Sequence, residues 1–276
     1  MLAHGMAEHS GRYARLARAL CDAGYGVYAP DLRGHGKTGE AATLGHFADE
    51  DGWAKVVGDL ASLNQHIGQQ HPDVPIVLLG HSMGSYIAQG YLLHHSASLH
   101  GAILSGSNFQ PVALYRAARL IACFERMRQG PKGRSALIEW LSFGSFNKKF
   151  KPTRTPFDWL SRDPAEVDKY RLDPLCGLRC ANQLWVHLLA GLQRLIAAGY
   201  LLAIDDYRAD DYARTSKLLP FVRYVKVDVL GQTDEQLTEC VEQCRQYNVH
   251  LIAERVEEHD TMRHCVGLGF QYFQGY

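Results

Sequence analysis

Leu78-Leu79-Gly80-His81-Ser82-Met83-Gly84 is the stretch on which the rest of the sequence turns. The apolar run from Ile76 to Leu79 reads as a buried parallel strand. It breaks at a G-x-S-x-G pentapeptide and continues into a helical pattern, Tyr86 to Leu93. Gly80 and Gly84 permit a turn too tight for side chains, which leaves Ser82 exposed at the strand's carboxyl end as a candidate nucleophile. The helix that follows offers its first backbone N–H groups to a developing negative charge.

The 276 residues around this turn are enough for one large domain or two small ones. With 46% hydrophobic and 21% charged residues the chain is globular in composition, and no apolar run is long enough to cross a bilayer. Lys+Arg and Asp+Glu balance at 29 each, so no global field favours nucleic acid or an anionic membrane, and no nucleic-acid partner is expected. The opening Met1-Leu2-Ala3-His4-Gly5 lacks the layout of a signal peptide. Seven cysteines, an odd number without secretion signals, point to reduced thiols and a cytoplasmic location. Cys176 and Cys180, and Cys240 and Cys244, are spaced to share a helix face. Neither pair has a partner pair at zinc-site spacing, so buried thiols and no metal are expected.

In chain order, His4-Gly5-Met6 follows the last residues of a strand. Ser10 opens an amphipathic helix through Leu20, closed by Gly24. Gly26 to Asp31 reads as the next strand and runs into the Gly-rich Asp31-Leu32-Arg33-Gly34-His35-Gly36. Gly52 to His66 is a helix with apolar Val56, Leu60 and Leu63. Beyond the Ser82 turn, a strand from Gly101 to Leu104 ends at Ser105-Gly106-Ser107-Asn108. Strands alternating with helices predict an α/β fold with a mostly parallel sheet, helices on both faces, and a site at the strands' carboxyl ends.

Residues 1 to about 192 resemble the α/β-hydrolase superfamily, in its monoacylglycerol lipase or lysophospholipase branch. The resemblance rests on His4-Gly5-Met6-Ala7-Glu8-His9-Ser10-Gly11-Arg12-Tyr13, the Asp31 to Gly36 loop, and Gly80-His81-Ser82-Met83-Gly84. It implies Ser82 as nucleophile and an oxyanion hole from the backbone N–H groups of Met6 and Met83. His4, Gly5, Gly80, His81 and Gly84 would brace these motifs, as would His35. It also implies a helical cap at about 109–186, carrying Trp140, Phe143, Phe146, Phe157, Trp159 and Trp185. Those aromatics either guide an acyl chain, with peripheral lipid contact through the cap, or pack the cap itself. The implied partner is a small lipid ester; oligomeric state is left open. The family's opening strands, its triad acid and its triad histidine have no recognisable counterpart, and the hydrolase-like text stops near Gly191-Leu192-Gln193.

From about 195 to 276 the chain resembles the back half of an EAL domain, a (β/α)₈ barrel that hydrolyses cyclic di-GMP with two metal ions. The carrying segments are Leu201-Leu202-Ala203-Ile204-Asp205-Asp206-Tyr207, Tyr224-Val225-Lys226-Val227-Asp228, Leu251-Ile252-Ala253-Glu254-Arg255-Val256-Glu257 and Gly269-Phe270-Gln271-Tyr272-Phe273-Gln274-Gly275-Tyr276. By resemblance Asp205 and Asp206 are metal ligands, Lys226 sits by the attacking water, and Asp228, Glu254 and Gln274 mark further strand ends lining the site. The front-half ligands have no counterpart, and Arg208 stands where the family has glycine. The pattern is closer to the degenerate EAL units found beside HDOD domains. Magnesium is therefore expected only if that remnant works, and no cofactor otherwise.

The expected domains are 1–192, a partial hydrolase, and 193–276, a half-barrel-like EAL remnant. The two either extend one sheet of about eight parallel strands or stand as separate halves. In the first case Asp205 falls where the hydrolase acid sits, and His259 follows it in triad order. Otherwise His259 is a surface histidine at the acidic helix start Glu257-Glu258-His259-Asp260, and Asp205 and Asp206 are helix caps or solvated carboxylates. The function expected first is a serine ester hydrolase, weak or inactive because no base is assigned to Ser82. The alternatives are a non-catalytic binding or regulatory module, or an artificial fusion joined near Leu189-Ala190-Gly191-Leu192 with no selected function.

Overall fold

The computed structural model describes residues 1–39, 43–107, 110–198 and 203–275. Asn108, the expected cap start at 109, Leu201, Leu202 and Tyr276 lie outside them. The chain divides into two compact units, Met1–Ala198 and Gly199–Tyr276.

In the first unit three parallel strands stand in sequence order: β1 (Leu2–Ala3), β2 (Val77–His81) and β3 (Gly101–Ser105). Leu2 faces Leu79 across one ladder, and Leu79 faces Ile103 across the next. The predicted strand at 26–31 is reduced to an extended segment whose Tyr28 carbonyl accepts from the Leu2 N–H at 2.9 Å, on the far side of β1. The helices are α1 (Ala14–Asp22), α2 (Gly52–Gln70), α3 (Met83–His95), α4 (Val112–Gln129), α5 (Ala136–Phe143), α6 (Pro164–Leu172) and α7 (Asn182–Ala197). Local chemistry starts several of them. The Ser135 hydroxyl accepts from the Ile138 N–H at the head of α5, and Asp163 caps α6 with Pro164 as its first residue.

The core lies on one face of the sheet. Ala3 and Leu78 pack with Trp53, Val56 and Leu60 of α2, Met83, Ile87 and Tyr91 of α3, and Leu184, Leu188 and Leu192 of α7. The opposite face is covered unevenly: Leu2 is buried there, whereas Ile103 in the same row is 52% exposed, and α1 buries none of its residues. The boundary expected at 192/193 falls inside α7, whose Leu192 and Leu195 are core residues, so the unit runs on to Ala198. Cys176 and Cys180 lie between α6 and α7 on no helix, and only Cys180 is buried.

The second unit has four parallel strands in sequence order: β4 (Ala203–Ile204), β5 (Tyr224–Asp228), β6 (His250–Glu254) and β7 (Tyr272–Gln274). α8 (Tyr212–Thr215), α9 (Asp234–Arg245) and α10 (His259–Leu268) connect them. A capping box starts α9, with the Thr233 hydroxyl accepting from the Gln236 N–H and the Gln236 side chain accepting from the Thr233 N–H. Val225, Val227, Leu251 and Ala253 pack on Leu237, Cys240, Val241 and Cys244 of α9, so these two cysteines do share a buried helix face. The single sheet of about eight strands is not found: among the described residues the strands form two ladders, of three and four strands. The second is open among the described residues, with β4 and β7 as its edges, and does not close as a barrel. Among the described residues, no helix is long and apolar enough to cross a membrane.

At Gly191, a Cβ would overlap the indole of Trp53, so α7 reaches its packing distance from α2 only without a side chain there. Gly191→Ala is expected to destabilise the first unit by about 1–3 kcal/mol in urea unfolding, because a rigid core cannot give way to an added methyl.

Candidate active site

Ser82 sits between β2 and α3 with φ 51 and ψ −117, a conformation unfavourable for a residue with a side chain. Its neighbours enforce it. A Cβ at Gly80 would lie 2.5 Å from the Gly84 carbonyl oxygen, and one at Gly84 would overlap the Ala3 carbonyl. Chain crossing so close leaves room for glycine alone. The Ser82 N–H donates to the Ser105 carbonyl at 2.8 Å, tying the turn to the end of β3.

Gly84 against the Ala3 and His4 carbonyls puts the start of α3 beside the His4-Gly5-Met6 loop. Met83 opens α3, so its N–H has no intrahelical acceptor, and the Met6 N–H makes no hydrogen bond to a described residue. Neither N–H is therefore taken up by a backbone acceptor of the described fold. The loop that holds Met6 is fixed by buried polar groups. His4 is fully buried: its Nε2 accepts from the Leu32 N–H at 2.9 Å and its Nδ1 donates to the Gly5 carbonyl at 2.7 Å. Burial keeps this imidazole below its ordinary pKa, more than Glu8 and Asp31 raise it. Glu8 accepts from the Gly5 N–H at 2.6 Å and the Tyr13 hydroxyl at 2.7 Å, and pairs with Arg12. Glu8, Arg12 and Tyr13 thus hold this loop, a role whose signal in the sequence is their close spacing within one short motif.

Asp31 closes the neighbouring loop by accepting from the Ser10 hydroxyl, the Ser10 N–H and the Lys37 N–H at 2.6, 2.9 and 2.7 Å. His35, fully buried beneath it, donates from Nδ1 to the Arg33 carbonyl at 3.1 Å, while its Nε2 has no partner. Burial pushes its pKa down to about 4.

Among the described residues of the first unit, no histidine is hydrogen-bonded to the Ser82 hydroxyl. His81 is adjacent in sequence, but its Nδ1 pairs with the Ser105 hydroxyl at 3.0 Å. Ser85 donates to the Ser82 carbonyl at 2.6 Å and meets the Ser107 hydroxyl at 2.8 Å, where Gln89 also donates. These three polar residues behind Ser82 were not singled out from sequence.

Asp205 and His259 both lie in the second unit, and no hydrogen bond joins them. His259 is exposed in the first turn of α10, and Asp205 is taken by Lys226, whose Nζ lies 3.0 Å from Asp205 and 2.5 Å from Glu254. Hydrogen bonds to Glu254 and then Asp205 hold the ammonium above its usual range, and the Lys226 bond holds Asp205 below its own. Asp205, Asp206, Asp228, Glu254, Arg255 and Gln274 line one cavity of about 300 Å³. The structure thus brings the expected second-unit residues together. Carboxylate oxygens of Asp205, Asp206 and Glu254 approach within 4.8 Å. A resident magnesium pair does not fit this donor set, because the Lys226 ammonium already occupies oxygens of two of the three clustered carboxylates, Asp205 and Glu254.

Four of the six cap aromatics pack on one another: Phe146 meets Trp159 edge-on at 4.8 Å, and Phe143 lies 5.5 to 6.3 Å from Phe146, Trp159 and Trp185. Phe157 instead meets Tyr170 at 5.1 Å, and Trp140 is 65% exposed.

A family model described as Hydrolase_4, serine aminopeptidase S33, matches residues 1–203. The chain is 39% identical over 106 residues to the monoacylglycerol lipase of Mycolicibacterium smegmatis, covering 38% of this chain and 36% of that protein. It is 33% identical over 91 residues to the cyclic di-GMP phosphodiesterase CdgJ of Vibrio cholerae, covering 32% of this chain and 21% of that protein. The chain therefore spans about a third or less of the length of these two relatives. A thermostable carboxyl esterase of Bacillus coagulans, crystallised with glycerol, superposes with a TM-score of 0.62 at 21% identity, covering 100% of this chain and 79% of that one. That likeness is one of fold, the α/β-hydrolase fold.

The buried His35 makes stability pH-dependent with a definite sign. Its folded pKa of about 4 lies below the ~6.5 of an unfolded histidine, so the unfolded chain takes up the proton first. Stability is complete above about pH 6.5 and falls by about 2–3 kcal/mol as pH drops towards 4. Denaturant melts across that window are expected to show a shallower slope in His35→Gln, with the share due to His4 remaining.

Proposed function

We propose, for a chain that belongs to the Hydrolase_4 (serine aminopeptidase, S33) family of α/β-hydrolases, that Ser82 is the attacking group of an ester-hydrolase site. The observation that carries this reading is the backbone of Ser82, held at φ 51 and ψ −117 by two glycines that tolerate no side chain. The substrate class is a small lipid ester of the monoacylglycerol or lysophospholipid type, in keeping with the relative from Mycolicibacterium smegmatis. Ser82 attacks the acyl carbonyl, and the Met6 and Met83 N–H groups receive the charge that forms on its oxygen. A serine hydroxyl is a poor nucleophile unless a base takes its proton, and none is assigned here. Turnover is therefore slow, near the ~10³–10⁴-fold over water that binding and oxyanion stabilisation alone supply.

A fluorophosphonate probe tests this directly. Slow labelling of the wild-type chain that is lost in Ser82→Ala is expected, together with weak hydrolysis of a short p-nitrophenyl ester. Labelling that persists in Ser82→Ala sinks the assignment, and brisk hydrolysis sinks the claim of slow turnover.

A second reading concerns residues 199–276 and is supported by the acid-lined cavity and the likeness to CdgJ. On that reading the second unit is a degenerate EAL remnant that binds without cleaving, joined to a hydrolase in one fused chain. Arg255 and Lys226 supply positive charge at the cavity, and Lys226 takes the place of a metal between Asp205 and Glu254. Calorimetric titration with cyclic di-GMP is expected to give the same affinity with and without magnesium, and chromatography no hydrolysis product. Magnesium-dependent cleavage would contradict it.

A further inference from the structure

Three chemically different donors meet beside the Met6 loop: His9, Asp173 and Cys176. His9 follows that loop, Asp173 is the residue after α6, and Cys176 lies three residues on. A ligand atom from each lies within 4.8 Å of the other two. The His9 Nε2 stands 2.8 Å from the Asp173 carboxylate, and both side chains are largely shielded, at 18% and 30% exposure. Other bonds hold the group together independently. The Gly177 N–H and the Tyr170 hydroxyl both donate to the Ala7 carbonyl at 2.9 Å, and within the turn the Cys176 N–H donates to the Asp173 carbonyl at 3.0 Å. Nothing in the ester chemistry uses these three residues.

We propose that His9 Nε2, the Asp173 carboxylate and Cys176 Sγ are the protein ligands of a divalent-cation site suited to zinc. One nitrogen, one oxygen and one sulfur make a donor set that zinc accepts, at roughly 2.0–2.3 Å each, with a fourth tetrahedral position left for water. Donors at such lengths stand about 3.3–3.6 Å apart, against 2.8 Å between His9 and Asp173 and at most 4.8 Å across the group here. Calcium and magnesium take oxygen ligands and are poorly served by a thiol and an imidazole. A carboxylate and a thiolate together balance the two charges of the ion.

Binding balances as follows. The Cys176 thiol releases its proton to solvent. The proton on His9 moves from Nε2 to Nδ1, and the ring gives up the weak 3.2 Å bond that Nδ1 accepts from the Gly11 N–H. Burial, with Asp173 next, pushes the thiol up to about 12 while Arg12 pulls it down, so the ion competes with a proton for the sulfur. An ion held here fastens the 170–177 segment of the cap to the loop that carries Met6.

The full-length chain, stripped with chelator, is to be titrated with cobalt and followed in the near-ultraviolet and visible, then titrated with zinc against a chromophoric chelator. A thiolate-to-cobalt band that zinc abolishes is expected. Cys176→Ser should remove the band, and both Cys176→Ser and His9→Ala should weaken zinc at least about a hundredfold, beyond what losing an outer-shell partner does. Cys180→Ser should change neither. A folded wild-type chain that gives no thiolate band overturns the site, which would leave His9 and Asp173 as a hydrogen-bonded pair. A band that survives Cys176→Ser, or equal zinc affinity in the folded variants, overturns it too. The readout involves no ester, so it stands or falls apart from Ser82.

Discussion

The carbonyl oxygens of Ala3 and His4 occupy the space a side chain on residue 84 would need. That single steric exclusion ties the first turn of α3 to the end of β1 and fixes the distance between the Ser82 turn and the Met6 loop. Gly80 repeats it from the strand side, where the Gly84 carbonyl and Ser85 leave no room for a Cβ. Ser82 is then held in a conformation that few residues adopt, because both flanking segments are already committed. The strain is offset by the surrounding packing: Leu78, Met83 and Ile87, around the turn, are all core residues with 2% exposure or less.

Around this turn the first unit spends its buried polar groups on holding loops. Glu8 gathers the Gly5 N–H, the Tyr13 hydroxyl and Arg12; Asp31 gathers Ser10 and Lys37; a two-pronged Arg33–Asp59 pair fastens the same loop to α2. Each carboxylate meets several donors, which is what allows groups such as Glu8, at 5% exposure, to remain inside. Low dielectric makes such networks stiff when complete and costly when broken. A loop whose N–H groups must stand at a fixed place gains from that stiffness.

Much of the first unit was legible in the sequence because its signals are local. The Gly80–Gly84 spacing specified the turn, the apolar run before it specified β2, and strands alternating with helices specified a parallel sheet. The second unit's strand ends were legible for the same reason, and Asp205, Lys226, Glu254 and Gln274 do converge. What stayed hidden depends on distant partners. An apolar strand such as Ile103 looks buried from its own letters, and its exposure reflects what fails to pack on it. The run of α7 past 192 follows from Leu192 and Leu195 reaching the α2 and α3 core, which spacing within one helix does not reveal. Asp205 looked free to orient a histidine, yet its neighbour across the β4–β5 ladder is a lysine.

The histidines show why a nucleophile's surroundings decide its reactivity. A base for Ser82 needs one imidazole nitrogen free to accept a proton and a gain in charge that its site tolerates. His4 has both nitrogens engaged, by the Leu32 N–H and the Gly5 carbonyl, and burial opposes its charging. His35 has a free Nε2, but it is enclosed, and burial has pushed its pKa to about 4, so it would charge only in acid. His81 gives its Nδ1 to Ser105 at the end of β3. Each of the three rings satisfies a fixed polar partner, and among the described residues none is hydrogen-bonded to the Ser82 hydroxyl. Precise placement of a hydroxyl is not by itself reactivity.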